Sequence, residues 1–346
     1  MRIVAHVDMD AFFAAIEERE HPEWHGKPIV VGADPEGGRG RGVVSTANYK
    51  AREFGIRSAM PISLAWRKCP YAMFVRPRQL YGEVSDKIMA LLTRELKEIG
   101  GAVEAVSVDE AYLDLSSCGS FEVAEQFARR LKQAIFWQER LTASVGIGPN
   151  KLVAKIASDF HKPDGLTVVQ PKMVEAFLAP LHVRALRGVG PKTEEHLKRL
   201  GIQTVRDLKE HTETELVETF GVFGRALFRQ ARGIDERAVS EAPEEAKSIG
   251  RQTTFAQDIV KPGPILAAAM KLAEKVHRDI MAERVNFRTV TVTCRYADFE
   301  THTKSRTLPT ATQSFPTLKA ATMKLLWQFL GKRPVRLIGV RVGKLD

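Results

Sequence analysis

The sequence predicts an α+β protein of several domains, and three observations predict it. Over the first half, strand-like apolar runs are interleaved with two long helical patterns. From 166 to 232 the pattern is one of short helices. After a charged, aperiodic stretch, the order strand, helix, strand, strand, helix, strand closes the chain, which is the arrangement of a compact split sheet of the ferredoxin-like kind. At 346 residues the chain is too long for one core and long enough for two to four domains.

Ile3 to Val7 read as a buried strand that delivers Asp8 at its end. Asp10 is then placed to cap a helix whose apolar positions are Ala11, Phe12, Ala15 and Ile16. Lys27 to Gly32 read as a short strand, Gly37 to Gly42 as a flexible turn, and Tyr49 to Phe54 as a helix stopped by Gly55. This lobe, up to Arg76, is rich in Lys and Arg. The spacing of Val84, Ile88, Leu91, Leu92 and Leu96 predicts a helix over 80–99. Strands over 103–108 and 111–115 are joined through Asp109-Glu110, a helix covers 123–137, and 141–147 alternates as a strand. That order predicts a sheet with helices on one face, its first strand taken from the N-terminus and the small lobe inserted behind it. Residues 233–247 read as a linker. The closing unit is predicted as strand 251–255, helix 265–283, strands 287–296 and 303–308, helix 318–330 and strand 335–342.

Composition narrows the function classes. With 44% hydrophobic and 27% charged residues the chain is neither disordered nor fibrous. No apolar run approaches the roughly 18 residues of a membrane span, and Asp8 comes too early for a signal-peptide core. Three scattered cysteines argue against a disulfide scaffold and a cysteine zinc site. A cytoplasmic protein is expected. The net charge of +10 is segregated: from Lys247 onward 18 basic residues face 7 acidic ones, a balance of +11, while the remainder nets −1. A field so placed points to a polyanion, nucleic acid before membrane.

Asp8, Asp109 and Glu110 stand at strand ends with apolar flanks, where bare carboxylates are costly. Caps, a salt bridge or a divalent-metal cluster would each account for them. Oxygen ligands with no nearby histidine favour Mg²⁺ over zinc, and such a cluster suits in-line nucleotidyl transfer. Tyr49 and Arg52 fall three apart on one helical face. Lys162 lies in the turn sequence His161-Lys162-Pro163-Asp164-Gly165. These three could converge on a triphosphate or form ordinary surface charge.

Four segments together carry a resemblance. They are Val7-Asp8-Met9-Asp10-Ala11-Phe12-Phe13, Ser45-Thr46-Ala47-Asn48-Tyr49-Lys50-Ala51-Arg52, Ser107-Val108-Asp109-Glu110-Ala111-Tyr112-Leu113-Asp114, and Ser144 through Lys155. In order and spacing the chain resembles the Y-family translesion DNA polymerases, close to the DNA polymerase IV branch, over essentially its whole length. The resemblance implies a right hand: a ferredoxin-like palm (1–10 and 77–165), small fingers (11–76), a helical thumb (166–232), a linker (233–247) and a βαββαβ little finger (248–342).

It also implies residue roles. Asp8 and Asp109 would bridge two Mg²⁺ ions, for which Mn²⁺ could substitute, with Met9 contributing its carbonyl and Glu110 holding the ion at the primer 3′-hydroxyl. Tyr49, Arg52 and Lys162 would hold the triphosphate, with Phe12 and Thr46 beside the nucleotide. Phe13 would be the steric gate against ribose, and Val43 and Ser45 would roof the nascent pair. Leu186-Arg187-Gly188-Val189-Gly190-Pro191-Lys192-Thr193 resembles a helix-hairpin-helix, with Gly188, Gly190 and Lys192 at DNA phosphate. Arg251, Arg288, Arg295, Arg306, Arg333 and Arg336 are the candidate backbone contacts of the little finger, though alternation lets only some face DNA. Primer-template DNA and dNTPs are the implied partners of a monomer associated with the nucleoid. Lesion bypass without proofreading is the implied activity, and a non-catalytic DNA-binding scaffold is the alternative. A sliding clamp is a further implied partner, although Val342-Gly343-Lys344-Leu345-Asp346 is not a clamp-binding peptide.

Overall fold

The computed structural model describes residues 1–241, 246–331 and 333–346. Part of the predicted linker, 242–245, therefore lies outside the described residues. In chain order the elements up to Ala231 are β1 (Val4–Met9), α1 (Phe12–Glu20), β2 (Ile29–Gly32), β3 (Val44–Ala47), α2 (Tyr49–Glu53), α3 (Ile62–Lys68), β4 (Met73–Val75), α4 (Leu80–Ile99), β5 (Val103–Ala105), β6 (Glu110–Asp114), α5 (Phe121–Glu139), β7 (Ala143–Gly148), α6 (Lys151–Phe160) and β8 (Leu166–Val168), then the short helices α7 (Val174–Leu178), α8 (Pro191–Arg199), α9 (Val205–Lys209), α10 (Glu213–Phe220) and α11 (Val222–Ala231). The chain divides into two compact units, one of residues 1–33, 43–60 and 64–243, the other of 34–42, 61–63 and 244–346.

The first unit is organised on a five-stranded sheet in the order β5-β6-β1-β7-β8. β1 is central and antiparallel to both neighbours, with Asp8 opposite Glu110 on one side and Ser144 on the other. Ala5, Val7 and Met9 face a core completed by α1, α4 and α5. Val4 and Tyr112 face the other way, against Ala154 of α6. Helices thus cover both faces, where one was predicted. The reason is α6, which lies close on the sheet because Gly146 lacks a side chain: a Cβ there would overlap the Ala154 carbonyl and the Ser158 amide. Burial on both faces is also why β1 reads as continuous rather than alternating.

The inserted lobe holds a small sheet, β3-β2-β4. Its anchor is the buried Asn48, whose Oδ1 accepts the amides of Ala51 and Ile29, capping α2 and tying it to β2. The helices from α8 to α11 share a separate core that includes Leu186, Leu197, Leu208 and Leu227. The segment after α11 runs extended along the same unit, with Asn150 donating to the Gly233 carbonyl at 2.7 Å and the Ser240 amide donating to Glu104 at 2.8 Å.

The second unit continues with β9 (Ser248–Ile259), α12 (Pro262–Glu283), β10 (Phe287–Tyr296), β11 (Thr301–Thr312), α13 (Phe315–Leu326) and β12 (Val335–Leu345). Its antiparallel sheet has the order β11-β10-β12-β9. Val290, Val292, Val340 and Val342 face Ile265, Val276, Ile280 and Leu318 of the two helices. β9 and β11 are longer than expected because both are edge strands with polar ends, where no apolar alternation marks the limits. Among the described residues no helix is long and apolar enough to cross a membrane.

Candidate active site

The central sheet brings Asp8 and Glu110 together, and two lysines meet them. Lys155 Nζ lies 2.9 Å from Asp8 Oδ2 and 2.9 Å from Glu110 Oε1. Lys162 Nζ lies 2.7 Å from Asp8 Oδ1 and 2.8 Å from Asp159. Burial opposes the charge on each lysine, but Asp8, Asp159 and, for Lys155, Glu110 outweigh it and raise both ammonium pKa values. Burial pushes Asp8 up against the pull of the same two lysines.

A histidine stands in the cluster after all. His6, fully buried, points Nε2 at Glu110 Oε2 from 3.5 Å, too long for a full hydrogen bond, and pairs Nδ1 with Ser158 Oγ at 2.9 Å. The His6 contact, aided by Lys155 and opposed by burial, holds Glu110 well below the usual carboxylate range. Burial lowers His6 in turn and favours the neutral ring.

Asp109 departs from the predicted triad. Asp109 is half-buried, and its carboxylate accepts the Ser107 hydroxyl at 2.6 Å, while its backbone carbonyl accepts the Met9 amide at 2.9 Å. No three His, Cys, Asp or Glu side chains converge on a metal position among the described residues. The pair Asp8–Glu110 nevertheless suits a hard cation. The donors of that pair are carboxylate oxygens, and they already share one positive charge in Lys155.

Asp10 is not the predicted helix cap. The residue before α1 is Ala11, in the left-handed region at φ 47°, and no side chain caps the helix. Asp10 instead lies buried and accepts hydrogen bonds from Thr142 Oγ1 (2.9 Å), Ser144 Oγ (2.8 Å), the Asp164 amide (2.8 Å) and the Tyr49 hydroxyl (3.3 Å). Tyr49 and Arg52 do share a helical face, the guanidinium 4.5 Å over the ring and also donating to the Ala47 carbonyl. Burial, with Asp10 next, raises the Tyr49 phenol, which therefore stays a proton donor.

Phe12 and Phe13 part company. Phe12 is 1% exposed in the core, so its side chain reaches no ligand, and Met9 is similarly buried with only its backbone available. Phe13 is half-buried and stacks on Tyr81. Val43 and Ser45 are both exposed at the start of β3, and Thr46 is half-buried.

At the hairpin before α8, Gly188 has φ +88° and a Cβ on it would strike the Phe223 ring. Gly190 caps α8 with Pro191 at the first helical position, and a Cβ there would meet nothing within 4 Å. Lys192 is exposed in the first turn.

The predicted arginines of the second unit are mostly engaged. Arg251 donates to Asp279 of α12 at 2.6 Å, and Arg333 binds Asp298 and Glu300. Arg336 lies over Phe299, and Arg288 donates to the Leu308 carbonyl. Arg306 sits opposite Val290, on the helix side by register, whereas Arg295 donates to Thr301 on the helix-free face. That face carries paired hydroxyls, Thr289–Thr307, Thr291–Ser305 and Thr293–Thr303. Beside them is an arginine the motif reading missed, Arg341, exposed opposite Thr291 and Gly250. Lys155 was missed as well. Its signal was the spacing Lys151, Lys155, Ser158, Asp159, which falls along one side of a helix.

Residues 7–159 match the impB/mucB/samB family, 246–346 match the C-terminal domain of that family, and 184–235 match a DNA polymerase-iota thumb domain. The chain is 49% identical to a DNA polymerase IV of Methanoculleus marisnigri, covering 100% of this chain and 95% of the relative. It is 47% identical to DNA polymerase IV 2 of Methanosarcina mazei, covering 99% and 92%. Among solved structures, a Y-family DNA polymerase chimera of Dbh and Dpo4 superposes with a TM-score of 0.87 at 32% identity, with 99% of each chain covered. An insertion ternary complex of Dbh DNA polymerase matches at 31% identity with a TM-score of 0.65, covering 99% and 98%. The chain therefore belongs to the Y family of DNA polymerases, on the branch of the DNA polymerases IV.

Proposed function

We propose that this chain is a template-directed DNA polymerase that copies past damaged bases, joining dNMPs to a primer 3′-hydroxyl. The observation that carries the reading is the acid pair Asp8–Glu110 on adjacent strands, sharing the Lys155 ammonium, with Lys162 on the other oxygen of Asp8. Negative charge for holding cations and positive charge for holding phosphate meet there at hydrogen-bond distance.

Asp8, Glu110, the neighbouring Asp109 and the Met9 carbonyl are the residues that would hold two divalent ions, Mg²⁺ or in its place Mn²⁺. Bound there, such ions supply Lewis acidity at the reacting phosphate and lower the pKa of the attacking hydroxyl. Lys162, Tyr49 and Arg52 bind the triphosphate and neutralise charge on departing pyrophosphate. Phe13 sets its ring where a 2′-hydroxyl would project, Val43 and Ser45 form a roof of small side chains, and Thr46 lies beside the nucleotide. Such a roof leaves room for a distorted template base and selects weakly on shape. Gly188, Gly190 and Lys192 receive a backbone phosphate at the start of α8. Arg295 and Arg341 with the hydroxyl rows of β10 and β11 receive others, giving affinity without sequence readout. The four engaged arginines Arg251, Arg288, Arg333 and Arg336 take a smaller part.

Primer extension with dNTPs and Mg²⁺ tests the reading. Incorporation that follows the template and is lost in Asp8→Ala supports it; incorporation equal in the two proteins contradicts it.

A further inference from the structure

We infer that Asp10, the second acid of the Asp-x-Asp run, is a positioning residue that joins Tyr49 and the loop bearing Lys162 into one triphosphate cradle. This rests on the reading above, in which Tyr49 and Lys162 hold the triphosphate.

Asp10 is 4% exposed and makes no salt bridge among the described residues. An unpaired buried carboxylate is costly unless hydrogen bonds stabilise it, and here four donors do so from three separate parts of the chain. Tyr49 comes from α2, Thr142 and Ser144 from the start of β7, and the Asp164 amide from the loop after α6. One anion bound by all three fixes their separations. Charge-assisted bonds of this kind are roughly twice as strong as neutral ones.

The loop is tied from its other side too. Lys132 donates to the carbonyls of Asp164 and Gly165 and pairs with the Asp164 carboxylate at 3.0 Å. Ser144 accepts the Gly165 amide at 3.2 Å while donating to Asp10. Gly165 has no room for a Cβ, which would overlap the His161 carbonyl. Lys162 thus projects from a segment whose backbone groups two and three residues on, at Asp164 and Gly165, are held by Asp10, Ser144 and Lys132. Of the four bonds to Asp10, that of Tyr49 is the longest. A phenol has one proton, so its hydroxyl donates either to Asp10 or to a phosphate. Asp10 keeps Tyr49 at the edge of the cradle, in the bond that is easiest to exchange.

Equilibrium binding of the correct dNTP to the complex of the protein with dideoxy-terminated primer-template, in Mg²⁺, separates this role from catalysis. Asp10→Ala is expected to raise the dNTP Kd about 10-fold or more while DNA affinity stays within about 2-fold. Lys162→Ala also raises the dNTP Kd, and the double variant binds dNTP no more than about 2-fold worse than the weaker single variant, because both changes remove the same contact. Ser144→Ala, which removes one bond to Asp10 and one to the loop, gives a several-fold loss in the same direction and serves if Asp10→Ala does not fold. Fully multiplicative losses in the double variant, or an unmoved dNTP Kd in both Asp10→Ala and Ser144→Ala, would overturn the inference. An unmoved dNTP Kd in Lys162→Ala alone would instead overturn the nucleotide reading itself.

Discussion

Phe13 and Tyr81 stack, their ring centroids 4.5 Å apart and their planes 15° from parallel. Tyr81 is in turn fixed by the fully buried Glu17, which accepts its hydroxyl at 2.6 Å and the Arg78 guanidinium at 2.8 Å. The ring assigned to sugar selection is therefore backed by a second ring on a charged anchor, rather than free to yield.

From this stack, Phe13→Ala is expected to raise ribonucleotide use relative to deoxynucleotide use by roughly 100-fold or more while dNTP incorporation persists. Tyr81→Ala, which leaves Phe13 unsupported, is expected to give an intermediate loss of about 10-fold. Ratios of kcat/KM for a matched rNTP and dNTP measure both. Unchanged ratios in Phe13→Ala would remove the gate assignment; unchanged ratios in Tyr81→Ala would remove only the support.

Lys155 neutralises two acids at once, so its removal exposes their repulsion. Lys155→Met is expected to lower stability without divalent ions by roughly 1–3 kcal/mol, since a partly buried charge loses its partner. Added Mg²⁺ should then raise Tm more in the variant than in the parent chain. Equal Mg²⁺-dependent shifts in the two proteins would contradict the shared-charge account.

Gly146 sets how closely α6 lies on the sheet. Gly146→Ala is expected to cost roughly 3 kcal/mol by overpacking, and to weaken catalysis as well because α6 carries Lys155 and Ser158. Chemical denaturation would show the loss, and stability within about 0.5 kcal/mol of the parent would contradict it.

The helix that begins after Thr204 has a reciprocal cap, in which Asp207 accepts the amides of Thr204 and Gln203. These bonds hold its pKa below the ordinary 3.8. The folded state therefore binds this proton less readily than the unfolded state. The contribution is complete above pH 3.8 and is lost as pH falls through the lower, folded value. Asp207→Ala is expected to lower Tm at neutral pH and to bring the two Tm curves together in strong acid. A gap that stays constant with pH would contradict this.

Much of this was legible in the sequence because it depends on short-range pattern. Asp8 closes a buried strand, Asp109-Glu110 lies where two strands join, and the βαββαβ order follows from alternation and helical spacing. What escaped depends on neighbours distant in the chain. Asp10 looks like a cap because Phe12 follows it, but its partners are Thr142, Ser144 and Asp164. His6 looked remote from the acids, yet strand pairing and the placement of α6 bring it to Glu110 and Ser158. Arg251 and Arg333 counted toward a basic surface, but Asp279, Asp298 and Glu300 take up their charge. Arg341 carried no local signal beyond its parity in a strand.

The most direct test of the central claim is single-turnover primer extension in Mg²⁺, with one plain template and one carrying a damaged base, comparing the parent chain with Glu110→Ala. The account predicts template-directed insertion on the plain template and past the damaged base, and insertion on both templates abolished in the variant. Insertion that persists undiminished in Glu110→Ala, or none on either template by a parent chain that still binds DNA tightly, would contradict it.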